Sequence, residues 1–317
     1  MPRVVVTRGL PEPALRALHE SGADVWVSPH DRALAPAELH DAVRGADAVV
    51  TMLHDRVDDD FLAAAGEQLR VVANVAVGYD NVDLDAARRH GVTITNTPGV
   101  LTDATADLAI ALMLAITRRL GEGERRIRSG VPWAWSIDFM LGRGLRGKTL
   151  GIVGYGEIGR ATATRARAFG LEVVYTKRSA GRDPGRVELG ELLERAHVVS
   201  LHCPLTPETR HLIDAAALAR MRDDAYLVNT ARGPVVDEAA LAAALRAGAI
   251  AGAALDVFER EPEVHPDLVG LDNVVLVPHL GSATIETRTA MAELAAANAI
   301  AVLAGDEPPT PVFDAYA

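Results

Sequence analysis

Three polar side chains in the last third of the sequence each follow a predicted strand. They are Arg232, Glu261 and His279. Open α/β sheets build their sites at the carboxyl ends of strands. A histidine transfers protons near neutral pH, and an arginine binds and stabilises negative charge. Taken singly, each has a simpler explanation: Arg232 as an exposed loop cation, Glu261 as an acid in a solvated turn, and His279 as a structural histidine.

A glycine-rich segment precedes these side chains. Gly154, Gly156 and Gly159 form a G-x-G-x-x-G motif between the apolar run 150–153 and a predicted helix ending at Phe169. The first glycine permits a tight turn, the second lets the backbone approach a pyrophosphate, and the third allows close packing of helix and strand. The motif alone also occurs in plain loops. Its strand–helix–strand context predicts dinucleotide binding, and few unrelated sequences would show it together with the three later side chains.

The end of the next predicted strand indicates which dinucleotide is bound. An NAD site usually places an acid there, to hold the ribose 2′-hydroxyl. This sequence instead has Lys177, Arg178 and Ser179. A guanidinium and a hydroxyl suit a 2′-phosphate, so we predict that NADP(H) is preferred and NAD(H) is possible. The alternative is a solvated basic turn.

The elements that position these residues alternate between strand and helix. Apolar runs at 4–7, 24–27, 48–52, 71–74 and 92–95, and again at 149–153, 172–175, 198–202, 225–229, 253–256 and 274–277, predict two parallel sheets covered by helices. Between the series lie a helix predicted for 102–119 and a looser stretch at 121–147. We predict a two-domain α/β fold: a flavodoxin-like substrate domain of residues 1–99 completed by 287–317, and a Rossmann-type doubly wound domain of residues 100–286.

Composition excludes several classes of function. The 317 residues carry a net charge of −11, which argues against a nucleic acid or a membrane surface as partner. Cys203 is the only cysteine, so neither an internal disulfide nor a cysteine-cluster metal site is expected. With no leader-like segment and no long apolar stretch, we expect a cytoplasmic protein without a metal.

Five segments resemble the motifs of the D-isomer-specific 2-hydroxyacid dehydrogenases. They are Val-Gly-Tyr-Asp-Asn at 77–81, His-Cys-Pro-Leu-Thr-Pro-Glu-Thr at 202–209, Asn-Thr-Ala-Arg-Gly at 229–233, Asp-Val-Phe-Glu-Arg-Glu-Pro at 256–262 and Pro-His-Leu-Gly-Ser-Ala-Thr at 278–284. The resemblance extends over nearly the whole chain and is specific because the motifs occur as a set.

The resemblance implies a role for each motif. His279 would be the acid–base residue, Glu261 would orient the imidazole and favour its protonated form, and Arg232 would bind the substrate carboxylate and carbonyl oxygen. The backbone amides of Val77 and Gly78 would hold the same carboxylate. Asp256 would accept from the nicotinamide carboxamide. The remaining cofactor contacts implied are Thr105, Glu157, Ile158, Cys203, Pro204, Thr209, Thr230, Ala231, His279 and Gly281.

Within the family, the chain resembles the glyoxylate/hydroxypyruvate reductases. Glu261 stands where formate dehydrogenases carry glutamine, and apolar Leu53 suits a small uncharged substituent on the substrate. The segment containing Trp133 and Trp135 resembles one in which a tryptophan reaches the neighbouring subunit's active site, although Ile137 replaces a usual proline. Trp135 is therefore a candidate substrate contact. The alternative for both tryptophans is a core or a dimer interface.

The resemblance further implies a homodimer, with the helix 102–119 and the tryptophan segment as contacts, and an active cleft between the two domains. Two other functions stay open. One is a dehydrogenase of the same family for a bulkier 2-oxo acid or for 3-phosphoglycerate. The other is a nucleotide-sensing protein like the family's transcriptional corepressors.

Overall fold

The computed structural model describes residues 1–178 and 184–312. The chain divides into two compact units, Met1–Leu101 with Ala283–Ala317, and Thr102–Ser282. The boundaries between the two units lie at 101/102 and 282/283. The predicted domain boundaries were at 99/100 and 286/287.

Strands and helices alternate along the described residues except at α5 and α6, which follow each other directly. The strands are β1 (Arg3–Val6), β2 (Asp24–Val27), β3 (Ala48–Thr51), β4 (Val71–Asn74), β5 (Thr93–Thr95), β6 (Thr149–Val153), β7 (Glu172–Thr176), β8 (Val198–Leu201), β9 (Tyr226–Asn229), β10 (Gly252–Leu255) and β11 (Val274–Leu276). The helices are α1 (Glu12–Glu20), α2 (Pro36–Val43), α3 (Asp59–Ala65), α4 (Leu84–Arg89), α5 (Thr102–Thr117), α6 (Leu120–Arg128), α7 (Glu157–Ala168), α8 (Leu189–Arg195), α9 (Ala215–Arg220), α10 (Glu238–Arg246), α11 (Pro266–Val269) and α12 (Ile285–Ala304). None of these helices combines the length and the apolar character that a membrane span requires.

The first unit is built on a parallel sheet in the order β2-β1-β3-β4-β5. This is the strand order of flavodoxin, as predicted. Val5 of β1 packs with residues of α2, α3 and α4, whereas Val4 and Val6 pack with residues of α1 and α12. Because both faces of the sheet are buried at its centre, β1 and β3 are mainly apolar runs that sequence alone could locate.

The second unit holds a parallel sheet in the order β11-β10-β9-β8-β6-β7. A bridge between Tyr175 and Arg186 extends it by one residue beyond β7. When the bridged residue Arg186 is counted as an edge strand beside β7, the strand order is that of a doubly wound dinucleotide-binding sheet with one further strand. This order confirms the predicted fold class. Helices α5 and α7 pack on one face, and α8 to α11 pack on the other.

The prediction of a loose stretch over 121–147 is wrong for its first part, where α6 occupies Leu120–Arg128. Arg119 takes a left-handed backbone conformation (φ 55°) and separates this helix from α5. Two glycines lower the helix propensity of the segment and hide it from sequence analysis. An ion pair between Glu124 and Arg128, one turn apart, stabilises the helix.

Candidate active site

The three polar side chains singled out in the sequence lie together in the second unit. Arg232 follows β9, Glu261 lies in the loop after β10, and His279 follows β11. Glu261 Oε2 is 2.8 Å from His279 Nδ1. The charge of Arg232 is one of the influences that lower the pKa of Glu261, so the guanidinium is also within electrostatic range. The site thus combines a cation, an imidazole and an acid that engages one nitrogen of the imidazole.

The Glu261 carboxyl has a lowered pKa despite its partial burial. Desolvation raises the pKa, but the hydrogen bond and charge of His279, the amide of Phe258 and the charge of Arg232 together outweigh it. The Phe258 N–H donates to Oε1 over 3.0 Å, so each carboxylate oxygen has a partner. A fixed negative charge therefore faces Nδ1 of His279, and Nε2 lies on the other side of the ring.

The turn that carries His279 is anchored by Asp256. The His279 backbone is left-handed (φ 53°), and its N–H donates to the Asp256 carbonyl over 2.8 Å. The Asp256 carboxylate accepts from the N–H of Leu280 over 2.5 Å and of Gly281 over 2.9 Å. Asp256 is 1% exposed, and desolvation raises the pKa of its carboxyl. It holds the turn in place, while its contact with a nicotinamide carboxamide stays a prediction.

The loop that carries Glu261 is held by a pair of acids that the sequence analysis missed. The Glu259 N–H donates to Glu238 Oε1 over 2.8 Å, and the Glu238 N–H donates to Glu259 Oε1 over 2.9 Å. Glu259 Oε2 also lies 3.2 Å from His211 Nε2. Desolvation raises the pKa of the buried Glu238. No local pattern could reveal this reciprocal clamp, because its two members are 21 residues apart in sequence.

The Arg232 turn is shaped by its neighbours. Asn229 donates from Nδ2 to the Arg232 carbonyl over 2.9 Å and accepts from the Ala231 N–H over 3.0 Å. A Cβ on Gly233 would lie 1.9 Å from the Phe258 carbonyl carbon, so this turn packs directly on the loop that leads to Glu261. Asparagine at a strand end is a turn signal that could have revealed the role of Asn229.

The glycine motif has the local geometry predicted from sequence. Gly154 has φ 94°, and a Cβ there would lie 2.5 Å from the Cys203 nitrogen. A Cβ on Gly159 would lie 2.3 Å from the Gly154 carbonyl oxygen. At Gly156, the N-cap of α7, an added Cβ would meet no described atom within 4 Å. The first and third glycines serve packing, and the second leaves open space at a helix N-terminus, where anions bind.

The basic turn follows β7. Lys177 and Arg178 directly succeed the strand, and Ser179 lies outside the described residues. Tyr155 of the glycine motif stacks on Tyr175, with ring centroids 3.7 Å apart and an interplanar angle of 11°. This contact joins the glycine loop to the strand that ends at the two cations.

The other predicted cofactor contacts lie in the same unit, either in the first turns of α5 and α7 or on loops that follow strands. Thr209 Oγ1 donates to the Pro204 carbonyl over 2.7 Å, and Thr105 Oγ1 donates to the Gly281 carbonyl over 3.2 Å. Glu157 and Ile158 open α7, and Thr230 and Ala231 directly follow β9. Burial raises the pKa of the Cys203 thiol to about 11, which makes a nucleophilic role unfavourable. Among the described residues, no three His, Cys, Asp or Glu side chains are grouped to hold a metal.

The predicted substrate contacts divide between the units. Leu53, Val77 and Gly78 belong to the first unit, on the turns after β3 and β4, and Leu53 is 36% exposed. Trp135 belongs to the second unit and is 77% exposed, while Trp133 is 55% exposed and stacks on Phe139 at 6.0 Å. Neither tryptophan is buried in the core of a single chain.

Comparison with known proteins connects this geometry to a family. A profile described as "D-isomer specific 2-hydroxyacid dehydrogenase, NAD binding domain" matches residues 110–281. The chain is 47% identical to a glyoxylate reductase of Thermococcus litoralis over 97% of its own length and 96% of the relative's. A solved structure from Thermus thermophilus matches with a TM-score of 0.92 at 48% identity, covering 98% of this chain and 100% of the other.

A second solved structure carries a more specific description. It is an NADPH-dependent glyoxylate/hydroxypyruvate reductase of Sinorhizobium meliloti in complex with NADP and malonate, which matches with a TM-score of 0.85 at 35% identity over 98% of this chain and 96% of the other. The matches together confirm the resemblance found in the sequence and indicate an enzyme of 2-oxo and 2-hydroxy acids that uses a nicotinamide cofactor. The chain belongs to the D-isomer-specific 2-hydroxyacid dehydrogenase family.

Proposed function

We propose that this enzyme reduces a small 2-oxo acid, glyoxylate or hydroxypyruvate, to the corresponding 2-hydroxy acid, with NADP(H) preferred over NAD(H). The observation that carries the proposal is the 2.8 Å contact between Glu261 and His279, within electrostatic range of Arg232. It provides a proton donor with a fixed counter-charge beside a cation that suits a carboxylate.

Each of the three side chains has one task in this proposal. The bound cofactor supplies the hydride that reduces C2 of the 2-oxo acid. His279 gives a proton from Nε2 to the 2-oxo oxygen, while Glu261 holds the other ring nitrogen and stabilises the charged imidazole. Arg232 binds the substrate's negative charge and stabilises the charge that develops on the carbonyl oxygen. In the reverse direction His279 accepts the proton.

The second unit fits a dinucleotide. Open space at Gly156, in front of the α7 N-terminus, suits a pyrophosphate, and the tight packing at Gly154 and Gly159 fixes the loop around it. Lys177 and Arg178 at the end of β7 supply positive charge where an NAD site would place an acid. The preference for NADP(H) rests on these two cations and on Ser179.

The first unit, in this proposal, is the substrate domain. The backbone amides of Val77 and Gly78 donate to the substrate carboxylate, and the apolar Leu53 lines the pocket for the C2 substituent. A small uncharged substituent suits such a side chain better than a phosphate does. The names of the relatives agree, since several are glyoxylate reductases.

We also propose a homodimer formed through α5, α6 and the tryptophan segment. Apolar side chains on residues 120–141 are exposed, and a subunit interface is the usual reason for such a patch. They are Leu120, Ile127, Val131, Trp133, Trp135, Ile137 and Leu141. Sedimentation equilibrium of the wild type and of Trp133→Ala/Ile137→Ala tests the proposal. A wild-type monomer at micromolar concentration would contradict it.

Oxidation of NADPH by the purified protein with glyoxylate and with hydroxypyruvate tests the reaction, with NADH in parallel. Rapid turnover with NADPH and slow turnover with NADH would support both the reaction and the cofactor preference. A preference for NADH would refute the role given to Lys177 and Arg178. Turnover only with phenylpyruvate or phosphohydroxypyruvate would show that the substrate is a bulkier or a phosphorylated 2-oxo acid. No turnover at all would favour a nucleotide-sensing protein.

A further inference from the structure

The turn after β4 has two backbone N–H groups that find no acceptor in the described part of the chain. Within residues 1–178 and 184–312, the N–H groups of Val77 and Gly78 donate no hydrogen bond. The carbonyl group in the same peptide unit as each of these N–H groups accepts a hydrogen bond. The Thr97 N–H donates to the Ala76 carbonyl over 2.9 Å, and Asn96 Nδ2 donates to the Val77 carbonyl over 2.8 Å.

The geometry of the peptide bond gives these two contacts a directional consequence. A trans peptide unit is planar, and its C=O and N–H point in opposite directions. Holding the Ala76 carbonyl therefore aims the Val77 N–H away from residue 97. Holding the Val77 carbonyl likewise aims the Gly78 N–H away from Asn96. Two adjacent residues after β5 thus point two adjacent amides to the opposite side of the turn.

Asn96 is itself firmly placed. Its carbonyl accepts from Thr310 Oγ1 over 2.7 Å and from Asn298 Nδ2 over 3.4 Å. Asn298, on α12, is 0% exposed and also accepts from the Thr310 N–H over 2.9 Å. The amide that holds Val77 is therefore supported by the last helix of the same unit.

A second asparagine fixes the far side of the turn. Asn74, 0% exposed at the end of β4, donates from Nδ2 to the Gly78 carbonyl over 3.1 Å. Its Oδ1 accepts from Thr51 Oγ1 over 3.2 Å. Asn81 donates to the Asp55 carbonyl over 2.9 Å, which ties this turn to the one that carries Leu53.

We propose that Asn96 is a positioning residue for substrate binding: by holding the Val77 carbonyl it aims the Gly78 amide at the substrate carboxylate, with Asn74 as a second support. The inference rests on the proposed function, because it takes the Val77 and Gly78 amides as donors to that carboxylate. Asn96 acts on affinity for the carboxylate and does not take part in proton or hydride transfer.

Asn96→Ala and Asn96→Asp test the role of the side-chain amide, since both remove the donor to the Val77 carbonyl. Losing one well-aimed hydrogen bond to a charged group corresponds to about a tenfold loss of affinity. We expect the KM for glyoxylate to rise about tenfold, with kcat and the Kd of NADPH changed by less than about threefold. Asn273→Asp is the matched control, because Asn273 is also half-buried and its Nδ2 donates to two carbonyls, those of Leu245 and Ala251.

A neutral substrate separates positioning from a general loss of structure. The methyl ester of glyoxylate lacks the negative charge, so kcat/KM for the ester should stay near the wild-type value in the Asn96 variants while kcat/KM for glyoxylate falls. Parallel losses for acid and ester, or an equal effect of Asn273→Asp on the KM for glyoxylate, would overturn the inference. If Asn96→Asp fails to fold, Asn96→Ala gives the same comparison.

Binding of oxalate distinguishes failure of this inference from failure of the proposed reaction. Isothermal titration of the NADPH complex with oxalate requires no turnover. If the wild type turns over no 2-oxo acid yet binds oxalate about tenfold more tightly than Asn96→Ala, the positioning role stands and the proposed reaction fails. Equal oxalate affinity in the two proteins, or no oxalate binding to the wild type, would overturn the positioning role.

Discussion

Replacing Glu261 by glutamine removes a charge and keeps most of the shape of the site. The amide oxygen can still face His279 Nδ1, which lies 2.8 Å from Oε2 in the wild type. Because the pKa of the Glu261 carboxyl is lowered, its charge is present above that pKa and lost only as the pH falls through it. Throughout the neutral range the substitution therefore deletes a full negative charge beside the imidazole.

The distance sets the size of the effect. Two unit charges 2.8 Å apart attract by about 1.5 kcal/mol at the dielectric of water and by about 6 kcal/mol at an effective dielectric of 20. The two side chains are 25% and 30% exposed, so solvent screening favours the lower part of this range. An energy of about 1.5–3 kcal/mol corresponds to about a 10–150-fold change in rate, at about 1.36 kcal/mol per factor of ten.

We expect kcat/KM for glyoxylate reduction at neutral pH to fall by about 10–150-fold in Glu261→Gln, because the imidazole loses the counter-charge that stabilises its charged form in the proposed reaction. Initial rates of NADPH oxidation at subsaturating glyoxylate measure this loss. Glu263→Gln is the control, because that acid lies on the same loop and is exposed. An unchanged kcat/KM in Glu261→Gln, or an equal loss in the control, would refute the reasoning.

His279→Ala should lower kcat by about 10²–10⁴-fold, the usual contribution of a general acid, while NADPH titration finds nearly unchanged affinity; unchanged turnover would end the assignment. Arg178→Asp should raise the KM of NADPH about tenfold or more and leave that of NADH within about threefold, since only NADPH carries a 2′-phosphate; equal losses would remove Arg178 from the phosphate site. Gly159→Ala should cost about 1–3 kcal/mol of unfolding free energy, because its Cβ would meet a carbonyl oxygen, whereas Gly156→Ala should keep the melting temperature and weaken NADPH binding. Calorimetry and cofactor titration of the two variants compare them directly, and a loss of stability in Gly156→Ala would contradict the open space assigned to it.

The fold was predictable because burial imposes a simple pattern on a parallel sheet. Val4, Val5 and Val6 of β1 are each 0% exposed, so the strand is a plain apolar run. Helix α6 was not predictable in the same way. Its side chains are exposed or half-buried, with none fully buried, and Leu120 and Ile127 are its only large apolar residues, so the segment has the composition of a polar loop.

The candidate site was predictable only in part, because sequence patterns reveal local motifs and not contacts between distant residues. Arg232, Glu261 and His279 lie in motifs that are local in sequence, and a strand precedes each of them. The residues that hold these motifs in place act across the fold. Glu238 and Glu259 clamp one loop, and Asn229 shapes another, through contacts that depend on tertiary structure. Residue type and spacing can locate the candidate reacting groups, whereas the residues that support them become visible only with the backbone in place.

Two acidic side chains near His279 have different partners: Glu261 contacts the imidazole, whereas Asp256 binds the backbone of the turn that carries it. Asp256 and Glu261 both influence His279, yet their pKa values move in opposite directions. For Asp256, desolvation is the largest influence and raises the pKa, and the carboxylate accepts hydrogen bonds from the N–H groups of Leu280 and Gly281. For Glu261, desolvation is outweighed by the imidazole together with the Phe258 amide and the charge of Arg232, and Oε2 of its carboxylate faces Nδ1. The buried acid therefore fixes the position of the histidine, and the more exposed acid contacts Nδ1, which in the proposed reaction leaves Nε2 to exchange the proton.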